Sequence, residues 1–405
     1  MKLSEELLWR GFVNQHTFSD ITELDEKPLT FYWGVDPSGP SMTIGHLAPA
    51  MMVRHFMERG HKAIVLIGGA TGMIGDPDGK KQERDLLTLE QIAENKKNIV
   101  AQYRQIFAGQ DFEVVDNYDW FKDMNYLDFL REIGKKVPMS QLLDRDFIKS
   151  RIGEDGQGIS YAEFSYNLIQ GYDFLHLYRT RGATLQVSGA DQWGNAITGV
   201  QLIKRIESAE SHVFTTPLII NKATGVKFGK TEAGAIWLDP TMTTPYQFYQ
   251  FWLNVDDESA KDLITKYTML SKEAVEETIA SHDAEPQKRL LQRSLADEVT
   301  RTIHGQERLT SVRSILDVLF GAQAANELSD EAMDMLSKEI PTVQAGVTLI
   351  DALNEASIVE SNGEARRLVS GGAVRLNGEK ITDDQIILAA KDLVKVGKNK
   401  FVFAR

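Results

Sequence analysis

Cysteine is absent from the 405 residues. Disulfides, thiolate metal sites and a cysteine nucleophile are excluded with it, and a cytoplasmic location fits. Long apolar runs are missing as well. None approaches the roughly 18 residues that a membrane helix needs, so no membrane partner is expected. Met1 to Asn14 reads as an amphipathic helix with Leu3, Leu7, Leu8 and Phe12 on one side. It lacks the apolar centre and small-residue cleavage site of a signal peptide. An excess of basic charge is also lacking. The net charge of −13 argues against a protein that coats nucleic acid nonspecifically, while leaving room for a local basic patch. Two nucleotide fingerprints are missing too. The glycines at 69, 72 and 75 are not spaced G-x-G-x-x-G, and Lys81 stands where a Walker loop needs Ser or Thr. There is no internal repeat. What remains is an ordinary globular composition, 42% hydrophobic and 25% charged, in a chain long enough for two or three domains.

The chain is organised around Phe31 to His46, FYWGVDPSGPSMTIGH. Thr30 to Val35 carries β-formers, Asp36-Pro37 and Gly39-Pro40 stop them, and Ile44 through Met57 fits a helical period. A strand feeding a helix N-terminus turns unpaired N–H groups and a positive dipole end outward. Gly45 leaves room for a flat ligand, and His46 adds an imidazole. On its own the stretch reads equally as an anion site or as a plain strand–turn–helix.

Ala63 to Ile67 is a continuous apolar run, as in a strand buried on both faces. The loop after it gathers Asp76, Lys80, Lys81 and Arg84, either a ligand loop or a solvated turn. Thr88-Leu89-Glu90-Gln91 is a capping box opening a helix to about Phe107. Phe112 to Val115 is a strand, Tyr126 to Lys136 a helix, and the polar stretch to Ser160 an insertion. Tyr161 to Thr180 is a long helix on which Tyr166, Gln170 and Asp173 share one face. Those residues are poor core material and favour a polar ligand face. Thr184 to Val187 and Val213 to Ile220 are further strands. Strand–helix alternation over the first 220 residues predicts an α/β fold, a Rossmann-like parallel sheet binding ligands beyond its carboxyl ends. Gly225 to Thr231 is a loop with two lysines. Pro245 to about Leu319 is helical, Asn326 to Pro341 acidic and linker-like. Residues 341–405 carry a net charge near +1 against about −14 for the rest, marking a separate small α+β unit.

With these residues in place, the chain resembles a bacterial tyrosyl-tRNA synthetase of class I over almost its whole length. The resemblance rests on Ile44-Gly45-His46; Gly68-Gly69-Ala70-Thr71-Gly72 with Gly75-Asp76-Pro77; Glu163 to Tyr166 with Gln170 and Asp173; Gly189 to Asn195; and Lys227-Phe228-Gly229-Lys230-Thr231, a form of the KMSKS signature. The closing unit resembles an S-four-type RNA-binding domain. The resemblance implies that tyrosine meets Tyr32, Asp76, Asn117, Tyr166, Gln170, Asp173, Gln186 and Gln192. It places ATP against Gly34, Asp36, Ser38, Gly45, His46, Gly189, Asp191, Lys227 and Lys230. The activation chemistry falls to Thr43, His46, Lys80, Arg84, Lys227, Lys230 and Thr231. It implies Mg²⁺ carried with the ATP phosphates and no protein metal site. It also implies tRNA(Tyr) as partner and a homodimer joined through about residues 117–160.

Two positions depart from the family pattern. Thr43 stands where relatives usually carry histidine, and Trp33 where a small residue usually sits near the ATP ribose. Either ATP sits differently or Trp33 turns into the core. The implied division is a catalytic domain over 1–220, a signature loop and connector over 221–244, and a helical anticodon-side domain over 245–325. A linker over 326–344 and the RNA-binding unit over 345–405 complete it. The competing readings are another aromatic class I synthetase and an RNA-binding paralogue without aminoacylation activity.

Overall fold

The computed structural model describes residues 1–77, 86–143, 146–152, 158–220, 228–231, 234–321 and 324–405. Helix α1 (Leu3–Arg10) and strand β1 (Gln15–His16) precede the central strand β2 (Thr30–Val35), helix α2 (Ile44–Glu58) and strand β3 (Lys62–Ile67). Helix α3 (Leu89–Ile106) and strand β4 (Phe112–Asp116) follow, then short helices α4 (Tyr118–Phe121), α5 (Tyr126–Glu132), α6 (Met139–Leu143) and α7 (Asp146–Ile152). The long helix α8 (Tyr161–Arg181), strand β5 (Leu185–Gly189), helix α9 (Trp193–Glu207) and strand β6 (His212–Thr216) complete the sheet.

The strands run in the order β1-β6-β5-β2-β3-β4, all neighbours parallel except β1 against β6. The chain builds outward from β2 to β4, then returns to lay β5 and β6 on the other side. That reversal opens a crevice at the carboxyl ends of β2 and β5, where open α/β sheets hold ligands. Side chains alternate across β2. Tyr32 faces α8, its ring 5.3 Å from Phe174, while Trp33 faces α3, 5.4 Å from Tyr103 and 6.2 Å from Phe107. Trp33 is 3% exposed, so of its two readings the structure takes the turn into the core. Small residues let α8 and α9 close on each other. A Cβ on Gly199 would stand 2.7 Å from that of Phe174, and one on Gly171 2.9 Å from Thr198.

Sequence reading erred at several edges. Leu8 is 56% exposed, while Leu3, Leu7 and Phe12 are buried, because α1 ends at Arg10 and buries only a narrow stripe. The strand read as Val213 to Ile220 stops at Thr216. Arg10 is the unexpected core residue. Its guanidinium donates to the carbonyls of Thr265, Thr268 and Leu270 and to Glu6, and Arg59 donates to the same Glu6 at 2.6 Å. Arg10→Ala strands three carbonyls and weakens a buried ion pair. It is expected to cost about 3 kcal/mol, read as the shift in a denaturant unfolding curve.

After the hairpin of β7 (Lys230–Thr231) and β8 (Gly234–Ala235) come helices α10 (Pro245–Leu253), α11 (Asp257–Tyr267), α12 (Lys272–Ala284) and α13 (Leu290–Phe320), the last broken at Gly305 with φ +84°. Helix α14 (Asp330–Glu339) occupies the stretch read as linker-like. Its Ala332, Met335 and Leu336 are buried, a one-face spacing that the surrounding acidic residues masked. Strand β9 (Thr342–Val343), helices α15 (Leu349–Glu355) and α16 (Asn362–Ser370), and strands β10 (Val374–Leu376), β11 (Glu379–Lys380), β12 (Leu393–Val396) and β13 (Lys400–Ala404) end the chain. These strands form a sheet in the order β11-β10-β12-β13-β9 over its own core of Val343, Leu353, Val369, Val374 and Val402. Asn377 and Gly378, both at positive φ, make its tight hairpin. The chain packs as two units, Met1–Met242 with Val255–Leu295, and Thr243–Asn254 with Ala296–Arg405.

Candidate functional site

A cavity of about 460 Å³ opens at the carboxyl ends of β2 and β5. Fifteen predicted residues border it: Tyr32, Gly34, Asp36, Ser38, Thr43, Gly45, His46, Asp76, Tyr166, Gln170, Asp173, Gln186, Gly189, Asp191 and Gln192. Asn117 stands behind its wall, fully buried. Lys80, Arg84 and Lys227 lie outside the described residues. So do the side chains of Lys230 and Thr231, whose backbone forms β7 beside Phe228 and Gly229 at the rim.

One end of the cavity is built around carboxylates. Asp173 on α8 is 2% exposed and accepts from Asn117 Nδ2 at 3.1 Å and Trp120 Nε1 at 2.9 Å, one on each oxygen. Burial nonetheless pushes its carboxyl well above the usual carboxylate range, against the pull of those two donors. Burial, with Asp173 nearby, pushes the Tyr32 phenol well up, so it stays a hydroxyl. Asn117 is itself fixed, accepting from the Ala70 N–H at 2.7 Å and donating to Thr71. Asp36 accepts from Thr71 Oγ1 at 2.6 Å and from the Tyr166 hydroxyl at 2.7 Å, one on each oxygen. The Asp36 carboxylate also explains Gly68, since a Cβ there would collide with it. Gly69 makes the same room for Asp116. Gln192 donates to Asp76 at 2.6 Å. Gln192 is held in turn by Asn195, and Asn195 by Asn167.

Helix α2 supplies the other end. Thr43 is its N-cap residue, and the Thr43 N–H donates to Nδ1 of His46 at 3.1 Å. An accepting Nδ1 leaves the proton of a neutral imidazole on Nε2. The Thr43 hydroxyl lies 3.1 Å from the same nitrogen.

Among the described residues, four buried polar atoms in this cavity lack a protein partner: the Tyr32 hydroxyl, Gln170 Oε1, Gln186 Oε1 and Ser188 Oγ. Buried polar groups are ordinarily satisfied, so a cluster of open ones around one cavity marks where a polar ligand fits. Sequence reasoning missed Trp120, Thr71 and Ser188. Trp120 follows β4 by four residues, which places it near the strand's carboxyl end. Its reach to Asp173 depends on packing against α8, where its ring stacks on His176 at 4.4 Å.

Residues 24–321 match the family of "tRNA synthetases class I (W and Y)", and residues 331–405 match the "Tyrosine--tRNA ligase SYY-like C-terminal domain". The chain is 43% identical to the tyrosine–tRNA ligase of Bacteroides fragilis over 408 aligned positions, 96% of this chain and 95% of the relative. Against the tyrosine–tRNA ligase of Pediococcus pentosaceus identity is 41%, covering 100% of both. The C-terminally truncated mitochondrial tyrosyl-tRNA synthetase of Aspergillus nidulans aligns with a TM-score of 0.70 at 29% identity, over 77% of this chain and 92% of that one. A tryptophanyl-tRNA synthetase of Encephalitozoon cuniculi shares the fold, with a TM-score of 0.55 at 14% identity, over 82% of this chain and 91% of that one. The chain belongs to the class I tRNA synthetases of the tryptophan and tyrosine group. Within that group it falls among the tyrosine–tRNA ligases.

Proposed function

We propose that this cavity joins L-tyrosine to ATP and then passes the tyrosyl group to the 3′ end of tRNA(Tyr). The observation that carries the reading is the Tyr32 hydroxyl, buried with no partner among the described residues in the same pocket as the doubly held Asp173 carboxylate. A substrate phenol fits between them, donating to Asp173 and accepting from Tyr32. The substrate ammonium then meets Asp76, Tyr166 and Gln170, while Gln186 and Gln192 close the pocket. An indole carries its single donor elsewhere on the ring and would leave this pair unmatched, which favours tyrosine over tryptophan.

No protein nucleophile is required. The tyrosine carboxylate, ionised at neutral pH, attacks the α-phosphorus of ATP, pyrophosphate leaves, and tyrosyl-adenylate remains. A terminal ribose hydroxyl of the tRNA then attacks the acyl carbon and AMP leaves. The protein contributes positioning and stabilisation of charge moving onto pyrophosphate. Gly34, Asp36, Gly45, Gly189 and Asp191 frame the nucleoside. Ser38, Thr43, His46 through Nε2–H, Lys80, Arg84, Lys227, Lys230 and Thr231 serve the phosphates. Mg²⁺ is assigned to the ATP phosphates, whose oxygens supply the hard ligands it prefers.

The homodimer and the cytoplasmic location belong to the same reading. Large exposed apolar side chains recur between residues 118 and 161, at Tyr118, Tyr126, Leu127, Met139, Leu143, Ile152 and Tyr161, which supports an interface there. Residues 1–220 serve as the catalytic domain, 245–325 as the anticodon side, and 345–405 as an RNA-binding unit.

Tyrosine-dependent ATP–pyrophosphate exchange tests the proposal, with phenylalanine and tryptophan as controls. Exchange with tyrosine alone is expected, and folded protein inactive with all three would sink it. Position 43 gives a second expectation. The threonine hydroxyl can donate to phosphate but carries no charge. Thr43→His is therefore expected to raise the exchange rate several-fold, as one charge-assisted contact of about 1 kcal/mol would. An unchanged or lower rate would show that this position does not limit the step.

A further inference from the structure

Tyr267, the last residue of α11, is fully buried, and its hydroxyl donates to the carbonyl of Ile44, the first residue of α2, at 3.1 Å. Nothing in the sequence singled it out. Its ring lies 6.1 Å from that of Phe228 at the foot of the β7–β8 hairpin. The same foot is seated on Ile44. Gly229 sits at φ +91°, and a Cβ there would stand 2.5 Å from Ile44 Cγ1, so only glycine allows the approach. Backbone bonds continue the connection. Ile44 N–H donates to the Ile236 carbonyl at 3.1 Å, and Ile236 N–H to the Gly229 carbonyl at 3.0 Å. Ile44 is thus a shared anchor, gripped from one side by the hairpin and from the other by Tyr267. The end of α11 is stiff enough to serve, because Arg10 binds the carbonyls of Thr265, Thr268 and Leu270 around it.

We propose that Tyr267 is a positioning residue for adenylate formation. It holds the first carbonyl of α2 and backs Phe228, which fixes the start of the hairpin backbone that carries Lys230. This rests on the reading that Lys230 serves the ATP phosphates. The two partners named above, Ile44 and Phe228, are not assigned to tyrosine, so the effect is expected on the rate of activation and not on tyrosine binding.

The test is a double-mutant cycle in pyrophosphate exchange. Tyr267→Phe removes the hydroxyl and keeps the ring. It is expected to lower kcat roughly three- to tenfold, the scale of one neutral hydrogen bond, with the tyrosine KM unchanged and the variant still folded at the assay temperature. In a Lys230→Ala background the same substitution is expected to have no further effect, because the group it positions is gone. Phe228→Leu, tested in both backgrounds, gives a second variant of the same contact and the same expected non-additivity. An unchanged kcat, or an equal loss in both backgrounds, overturns the role of Tyr267. A Lys230→Ala variant as fast as the parent overturns the reading of the hairpin itself, a separate failure read from a separate protein.

Discussion

Asp173→Asn is expected to cut kcat/KM for tyrosine by on the order of 10²-fold, with the constants for phenylalanine nearly unchanged. The carboxylate now receives two protein donors, Asn117 Nδ2 and Trp120 Nε1, and in the proposed complex a third from the phenol. An amide cannot replace it. Turned either way, its NH₂ meets one of those donors, and its single oxygen is a weaker acceptor. Loss of a hydrogen bond to a buried charge is worth about 1.5–3 kcal/mol, which sets the factor. Phenylalanine brings no hydroxyl, so it reports the cost of the substitution without the contact. Equal losses for both amino acids would show that Asp173 supports the fold of the pocket and does not read the phenol.

The raised pKa of Asp173 adds a pH signature. Burial favours the neutral acid, so in the free protein the group protonates at a higher pH than an ordinary carboxyl. Its contribution to stability is present below the unfolded pKa and lost as pH rises through the raised folded value. Keeping the carboxylate ionised above that value therefore costs the free protein stability. For activity the sign is opposite. As pH falls through the raised value, kcat/KM for tyrosine should fall while that for phenylalanine holds. The asparagine variant should flatten the tyrosine profile in that range.

The sequence and the structure agree where local signals are strong. The β-formers at Thr30 to Val35 and the helical period from Ile44 give β2 and α2 directly, and a 3.6-residue period places Tyr166, Gln170 and Asp173 on the cavity side of α8. Thr88 and Gln91 form the capping box that their spacing announces. Long-range packing hid the remainder. The Asp36 carboxylate binds Tyr166 across 130 residues, and no spacing rule reaches that far. Trp120 gains its role only from α8, which brings Asp173 within 2.9 Å of its indole N–H. The exposure of Leu8 and the helix at Asp330–Glu339 followed from how narrow a stripe each helix buries, which periodicity constrains only loosely.

Asp76→Asn should be the most damaging substitution on the ammonium side of the pocket, lowering kcat/KM for tyrosine by on the order of 10²–10³-fold. Gln192 holds Asp76 in place at 2.6 Å, and the chain from Asn195 to Asn167 fixes Gln192. The carboxylate therefore meets its ligand already oriented, and little ordering cost offsets the contact. Truncating one partner of a desolvated, hydrogen-bonded charge pair costs about 2–5 kcal/mol, much of it from leaving the other charge unpaired. In the proposed complex the stranded charge is the substrate ammonium. A tyrosine analogue without the amino group separates this from general damage, because it has no charge to strand. Its binding should be as tight in the variant as in the parent, or tighter, since it no longer faces an unpaired carboxylate. If the variant loses the analogue and tyrosine alike, Asp76 holds the pocket together through Gln192 and the ammonium is read elsewhere. If it loses tyrosine alone, the two aspartates divide the substrate between them, Asp173 reading the phenol and Asp76 the ammonium.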